Sequence, residues 1–211
     1  MQAPQIPQFR SFFIPAQKKS DRLMIILHGK GDSHRPFREF QNEIELPHYN
    51  FLLLNAPKKF LDGYSWYGDP PFQKEGVVKI RSKLFAMMRT LESQGWKPQK
   101  IVFLGFSQGA LISADFGLHF PKKLGGIIGI SGYFQFYPRW RRNLNTEMLK
   151  TPWLMTHGPQ DEVLPYDITK FGAEKIQSTG IKLQWIRFNK KHRMEEVEYP
   201  FIRKWLTHNG L

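Results

Sequence analysis

The stretch from Ile101 to Ala114 constrains this chain more than any other. It reads Ile101-Val102-Phe103-Leu104, then Gly105-Phe106-Ser107-Gln108-Gly109, then Ala110-Leu111-Ile112-Ser113-Ala114. The first run is β-branched and aromatic and reads as a buried strand, while the last is rich in alanine and leucine and reads as a helix. Between them lies G-x-S-x-G. A strand that enters a helix through so few residues must turn sharply, and backbone and helix then approach too closely for a side chain at either glycine. Ser107 is thereby lifted out at the carboxyl end of the strand, its hydroxyl free to attack.

The rest of the chain repeats the strand-then-helix pattern. Short apolar runs at 12–14, 22–27, 51–54, 124–130, 152–155 and 181–188 read as strands. Helices are expected over about 36–44, 75–91, 166–178 and 195–207, the second with Val78, Leu84, Met87, Met88 and Leu91 on its buried face. Residues 58–73 read as an aromatic-rich loop, and 133–145 as aromatic, basic and irregular. Strands that alternate with helices imply an α/β fold: a mostly parallel central sheet flanked by helices on both faces. With 211 residues and no repeat, low-complexity tract or Gly/Ser linker, the expectation is one domain over 1–211, with no large cap.

Composition excludes several classes of function. The chain has no cysteine, which removes disulfides, thiolate metal sites and a thiol nucleophile, and fits a reducing compartment. No apolar run reaches the roughly 18 residues that a membrane-spanning helix needs, so no integral membrane segment is expected. The first ten residues lack an apolar signal core, and the expected location is cytoplasmic. The formal charge of +13 gathers at Arg139-Trp140-Arg141-Arg142 and at Lys190-Lys191-His192-Arg193. No nucleic-acid-binding module accompanies it, so the charge reads as a solvated face that attracts anionic substrates, with no nucleic-acid partner expected. A homodimer is compatible with the sequence.

A serine hydroxyl is a weak nucleophile and needs a base, together with an acid that orients the base. Downstream of Ser107, Asp161 follows the strand at 152–155 and His192 follows the strand at 181–188. All three fall at carboxyl ends of strands, where open α/β sheets place their sites. Among rival acids, Asp167 sits at a helix start and reads as a cap, and Glu195 and Glu196 read as the start of the last helix. Among rival bases, His28 precedes the glycine loop, His119 lies at a helix end and His157 precedes the acid, while His34, His48 and His208 lack a matching partner and read as structural or solvated. Attack on an ester or thioester makes an oxyanion, which calls for two preorganised N–H donors. The amide of Gln108, next to the serine at a helix N-terminus, is one. The loop His28-Gly29-Lys30-Gly31-Asp32, after an early strand, supplies the other through Lys30.

These pieces resemble the phospholipase/carboxylesterase (acyl-protein thioesterase-like) family of small α/β-hydrolases. The resemblance rests on Leu27-His28-Gly29-x-Gly31-Asp32, Ser65-Trp66-Tyr67, Gly105-Phe106-Ser107-Gln108-Gly109-Ala110, Ile130-Ser131-Gly132 and His157-Gly158-x-x-Asp161-x-Val163-x-Pro165. It implies an α/β-hydrolase fold, with Ser107, Asp161 and His192 as a triad and the Lys30 and Gln108 amides as oxyanion hole. Trp66 and Val163 would lie near the acyl pocket. Substrates would be small-molecule esters or thioesters, with no metal and no organic cofactor. Two departures stand out: Lys30 replaces a small apolar residue, and His192 lies between Lys191 and Arg193, where the family has glycine and glutamate. A pocket lined by Trp66 with Phe72, and by Tyr133 to Tyr137 with Trp140, is the further expectation. The alternative reading is a catalytically idle α/β-hydrolase that binds through its basic surface.

Overall fold

The computed structural model describes residues 2–135 and 146–211. Its main sheet is built from β1 (Ser11–Ile14), β2 (Leu23–Leu27), β3 (Asn50–Leu54), β6 (Ile101–Phe106), β7 (Gly126–Ile130), β8 (Trp153–His157) and β9 (Leu183–Arg187), while β4 (Lys58–Phe60) and β5 (Gly63–Ser65) form a separate hairpin. The order across the main sheet is β1-β3-β2-β6-β7-β8-β9, with β1 antiparallel to β3 and the other pairs parallel. Every residue of β2 and β3 is buried, which is what a strand covered on both faces requires.

Alternate residues of one strand feed two different cores, because side chains alternate across a sheet. Leu23, Ile25, Leu27, Ile101 and Phe103 join the helices α2 (Gln73–Ser93), α3 (Gln108–His119), α4 (Thr146–Lys150) and α5 (Tyr166–Gln177) on one face. Met24, Ile26, Val102 and Leu104 join the other face, under α1 (Phe40–Glu43) and α6 (Tyr199–His208). The connection after β2 runs towards one edge of the sheet and that after β6 towards the other. The crevice at the carboxyl ends of β2 and β6 is therefore a switch point, the usual ligand position in such sheets.

Several expectations need correction. Residues 58–73 are not simply a loop. Lys58–Phe60 pairs with Gly63–Ser65, turning at Leu61, whose φ of 51° is left-handed. On α2 the buried face uses Val77 and Ile80 with Leu84, Met87, Met88 and Leu91, while Val78 is 40% exposed. Position 77 keeps the three- and four-residue spacing to 80 and 84, and 78 is rotated about 100° towards water. Each such burial contributes roughly 1.5–3 kcal/mol. The helix expected at 36–44 is a 3-10 turn, Arg35–Arg38, followed by the one-turn α1. The last helix begins with a 3-10 turn at Glu196–Glu198, where Glu195 and Glu198 cap each other's backbone. Asp167 does not cap α5: Pro165 holds that position, and Asp167 lies in the first turn, near the positive end of the helix.

Candidate active site

Ser107 takes φ 52° and ψ −114°, a conformation that costs a non-glycine residue on the order of 1–3 kcal/mol. The neighbouring glycines make the turn possible. A Cβ on Gly105 would lie 2.2 Å from the carbonyl oxygen of Gly109, and one on Gly109 would lie 2.1 Å from that of Leu27.

Three side chains from distant parts of the chain converge here. His192 Nε2 is 2.9 Å from Ser107 Oγ, and His192 Nδ1 is 2.7 Å from Asp161 Oδ2. A carboxylate only accepts, so Nδ1 carries the proton and Nε2 is left to accept the serine hydroxyl. The Asp161 carboxylate has no contact with water. Its Oδ1 accepts the amides of Val163 at 2.9 Å and Leu164 at 2.7 Å. Such a chain can draw a proton from the hydroxyl to the imidazole and stabilise the cation that results.

The loop after β2 lies across the switch point. The Gly31 amide donates to Tyr64 O and the Tyr64 amide to Asp32 O, both at 2.8 Å, so the hairpin and the loop hold each other. The Lys30 side chain turns away to Asp69 at 2.8 Å, with its amine over the Phe60 ring. Among the described residues, neither the Lys30 amide nor the Gln108 amide has a hydrogen-bond acceptor. The second of these opens α3, where the first amides have no partner within the helix. The Gln108 side chain is engaged: its Oε1 accepts from the Trp66 amide at 3.0 Å and the Ser65 hydroxyl at 3.1 Å. The Trp66 indole donates to His28 O at 2.8 Å.

Trp66 and Phe72 line one cavity of about 570 Å³, whose walls include none of Ser107, His192 or Lys30. Tyr133 bonds to Tyr67 and Gln73, each at 2.9 Å, without lining that cavity. Phe136, Tyr137 and Trp140 of the expected aromatic pocket, and the 139–142 basic cluster, lie outside the described residues. Val163 holds Asp161 through its amide, while the residue is 63% exposed. Among the described residues, no group of His, Asp and Glu is arranged to hold a metal ion.

Sequence reasoning missed the anchors behind this constellation. Lys190 belongs to the basic run that reads as a solvated face, yet its side chain is 1% exposed. Its amine donates to Glu198 Oε1 at 2.8 Å and to Arg193 O at 3.0 Å, closing the loop that carries His192. Burial pushes the Lys190 amine below its ordinary range, and the Glu198 charge opposes this. Glu198, fully buried, also accepts from the Thr156 hydroxyl and, at 2.8 Å, from the Glu195 amide. A Cβ on Gly158 would stand 2.0 Å from Lys190 O, so the loops that carry Asp161 and His192 pack backbone to backbone. His157 is also more than a neighbour in sequence. Its Nε2 donates to Leu164 O at 2.9 Å and lies 3.3 Å from Asp161 Oδ2, with burial holding its pKa below the usual 6.5.

A mostly parallel sheet with a serine on a strained strand-to-helix turn at its switch point defines the α/β-hydrolase class. The phospholipase/carboxylesterase family model matches residues 10–209, and the chain belongs to that family. An acyl-protein thioesterase 1 from Emericella nidulans is 30% identical over 224 residues, covering 92% of this chain and 93% of its own. The carboxylesterase SOBER1 of Arabidopsis thaliana is 24% identical over 202 residues, covering 87% of this chain and 89% of its own. In backbone, the crystal structure of Arabidopsis thaliana SOBER1 superposes with a TM-score of 0.83 at 22% identity, over 92% of this chain and 100% of its own. A carboxylesterase from Mesorhizobium loti gives 0.83 at 17%, over 97% and 98%. This chain is thus an enzyme, a hydrolase of the ester and thioester class. Among the described residues, no helix is long and apolar enough to cross a membrane.

Proposed function

We propose that this chain hydrolyses small-molecule carboxylic esters or thioesters through an acyl-enzyme on Ser107. Ser107 Oγ attacks the carbonyl carbon while His192 Nε2 takes its proton, and the carbonyl electrons move onto oxygen. The Lys30 and Gln108 amides receive that oxyanion. Collapse breaks the bond to the leaving oxygen or sulfur, which takes the proton from Nε2. Water then repeats the sequence on the acyl-enzyme, with His192 again as base, and releases the acid. Asp161 stays ionised and holds the imidazole. No metal or organic cofactor enters any step.

The observation that carries this reading is the hydrogen-bonded series Ser107–His192–Asp161, at 2.9 and 2.7 Å, on a strained turn beside two uncommitted amides. The acyl group is assigned to the side of Trp66, whose amide donates to the side chain of Gln108, the residue next to Ser107. A single domain over 1–211 and a cytoplasmic site of action belong to the same proposal. The first is supported by one continuous sheet from residue 11 to residue 187.

The test is turnover of a panel of acyl esters and acyl thioesters of varied chain length. Ser107→Ala, His192→Ala and Asp161→Asn should each lower kcat by about 10⁴-fold or more, and combining them should add little, because the three act as a unit. A folded Ser107→Ala variant with full esterase activity would refute the reading.

A further inference from the structure

A second cavity, of about 240 Å³, opens beside His192 on the opposite face of the sheet from α2. Its apolar walls are Pro36, Phe37, Phe40, Phe106 and Met194, and the imidazole of His192 completes it. Phe37 and Phe40 are buried and form the floor, edge to face at 6.0 Å. Phe106, half-buried, stands 5.2 Å from the His192 ring, centroid to centroid. A closed apolar cavity of about 150 Å³ suffices to bind benzene. This one has room for a phenyl ring and a short linker.

Resting on the acyl-enzyme reading above, we propose that this cavity is the leaving-group subsite, and that it favours neutral arylalkyl alcohols and thiols. The departing oxygen or sulfur must receive its proton from His192 Nε2, so its substituent is carried against the imidazole. The imidazole of His192 is part of the wall of the 240 Å³ cavity. The 570 Å³ cavity does not touch His192, so the leaving group is not directed there. Charge narrows the class further. Asp32 and Glu43 stand at the rim, and among the described residues the only lysine or arginine in its lining, Arg193, is paired with Glu195. An anionic leaving group would meet two carboxylates there, whereas a neutral aromatic one would exchange water for Phe37, Phe106 and the Met194 thioether. The chain as a whole is strongly cationic, so the rim opposes locally what the overall field attracts.

The experiment compares two substrate pairs on the full chain. In the first, methyl and benzyl acetate share an acyl group and differ only in alcohols of nearly equal acidity. In the second, methyl acetate and methyl phenylacetate place the ring on the acyl side. The wild type should favour benzyl over methyl acetate in kcat/KM by about tenfold or more. Met194→Trp, which fills the cavity, should cut that ratio by about tenfold and leave the acyl-side ratio in place. Met194→Ala, an easier variant to fold, should shift the preference towards phenethyl acetate. A 4-carboxybenzyl ester should react more slowly than the benzyl ester, and Asp32→Asn should narrow the gap. A leaving-group ratio that both folded Met194 variants leave untouched overturns the proposal. So does a Met194→Trp effect that falls on the acyl-side ratio instead. Failure of the underlying reading looks different: Ser107→Ala would then hydrolyse both pairs as fast as the wild type.

Discussion

Two loops close on Ser107, and they are held in opposite ways. The base loop, after β9, is fastened by Lys190 and Glu198, whose side chains are 1% and 0% exposed. The proposed oxyanion loop, after β2, is fastened by backbone bonds to the hairpin and by Lys30–Asp69, whose acid is 74% exposed. A buried pair stabilises little beyond an apolar replacement, but losing one partner strands a charge with no water to receive it. An exposed pair is screened, and its partners return to solvent at little cost. The proposed base therefore depends on side chains that cannot be changed singly, while the proposed oxyanion donors depend on main chain that most substitutions leave alone.

The largest expected effect is on the base side. Lys190→Met should cost about 3–5 kcal/mol in denaturant unfolding, because Glu198 keeps its charge without a counterion. The double variant Lys190→Met with Glu198→Leu should recover most of that stability. Turnover should remain low in both, with kcat reduced more than KM is changed, because Arg193 O lacks its partner in each and the Glu195 amide also loses its own in the double variant. Full activity in the stable double variant would show that the clamp does not position His192.

On the oxyanion side, chemistry and charge can be separated at one residue. Lys30→Pro removes the amide and should lower kcat by about 10²–10³-fold. Lys30→Ala keeps the amide and loses only the exposed pair, so its stability should change by less than about 1 kcal/mol. Equal losses of kcat in the two variants would move the oxyanion role from the Lys30 backbone to its amine.

Each side also holds one buried histidine, and both should respond to acid in the same sense. Burial lowers the pKa of His28 and of His157 from the usual 6.5. In His28, Nδ1 donates to Gly29 O at 2.6 Å and Nε2 accepts from the Ala56 amide at 3.1 Å, which commits the neutral ring. As pH falls below 6.5 the unfolded chain takes up protons that the folded chain refuses. Stability should therefore drop on acidification through that window, and rise with pH across it. Unfolding free energies at a series of pH values should show a shallower slope for His28→Gln and for His157→Gln.

The smallest effect belongs to the residue next to the clamp. Lys191 pairs with Glu162 at 3.2 Å with both side chains in solvent. Lys191→Gly should shift stability by less than about 1 kcal/mol and leave the pH profile of kcat/KM unmoved. A displaced acidic limb at low ionic strength would mean that this cation reaches His192 after all.

Much of the site was legible because its chemistry imposes local patterns. A serine on a turn this tight needs Gly105 and Gly109 beside it, and a strand and helix on either side, all within a few residues. Asp161 and His192 could be named because loops after parallel strands converge at one edge of the sheet, so chain order and strand ends stood in for distance. What stayed hidden depends on which way a side chain faces. Lys190 and Lys191 are identical in kind and adjacent, yet one is buried against Glu198 and the other lies in water. On α2, Val77 is in the core and Val78 is not. The hairpin at 58–65 is illegible in the sequence because its two strands have three residues each, too few to show a strand pattern. Composition and periodicity report the average environment of a segment, and they determined the layered α/β sheet and the proposed triad. The packing of Gly158 on Lys190, the choice between two lysines and the aromatic cavity beside His192 are contacts between remote segments, which only the folded chain could decide.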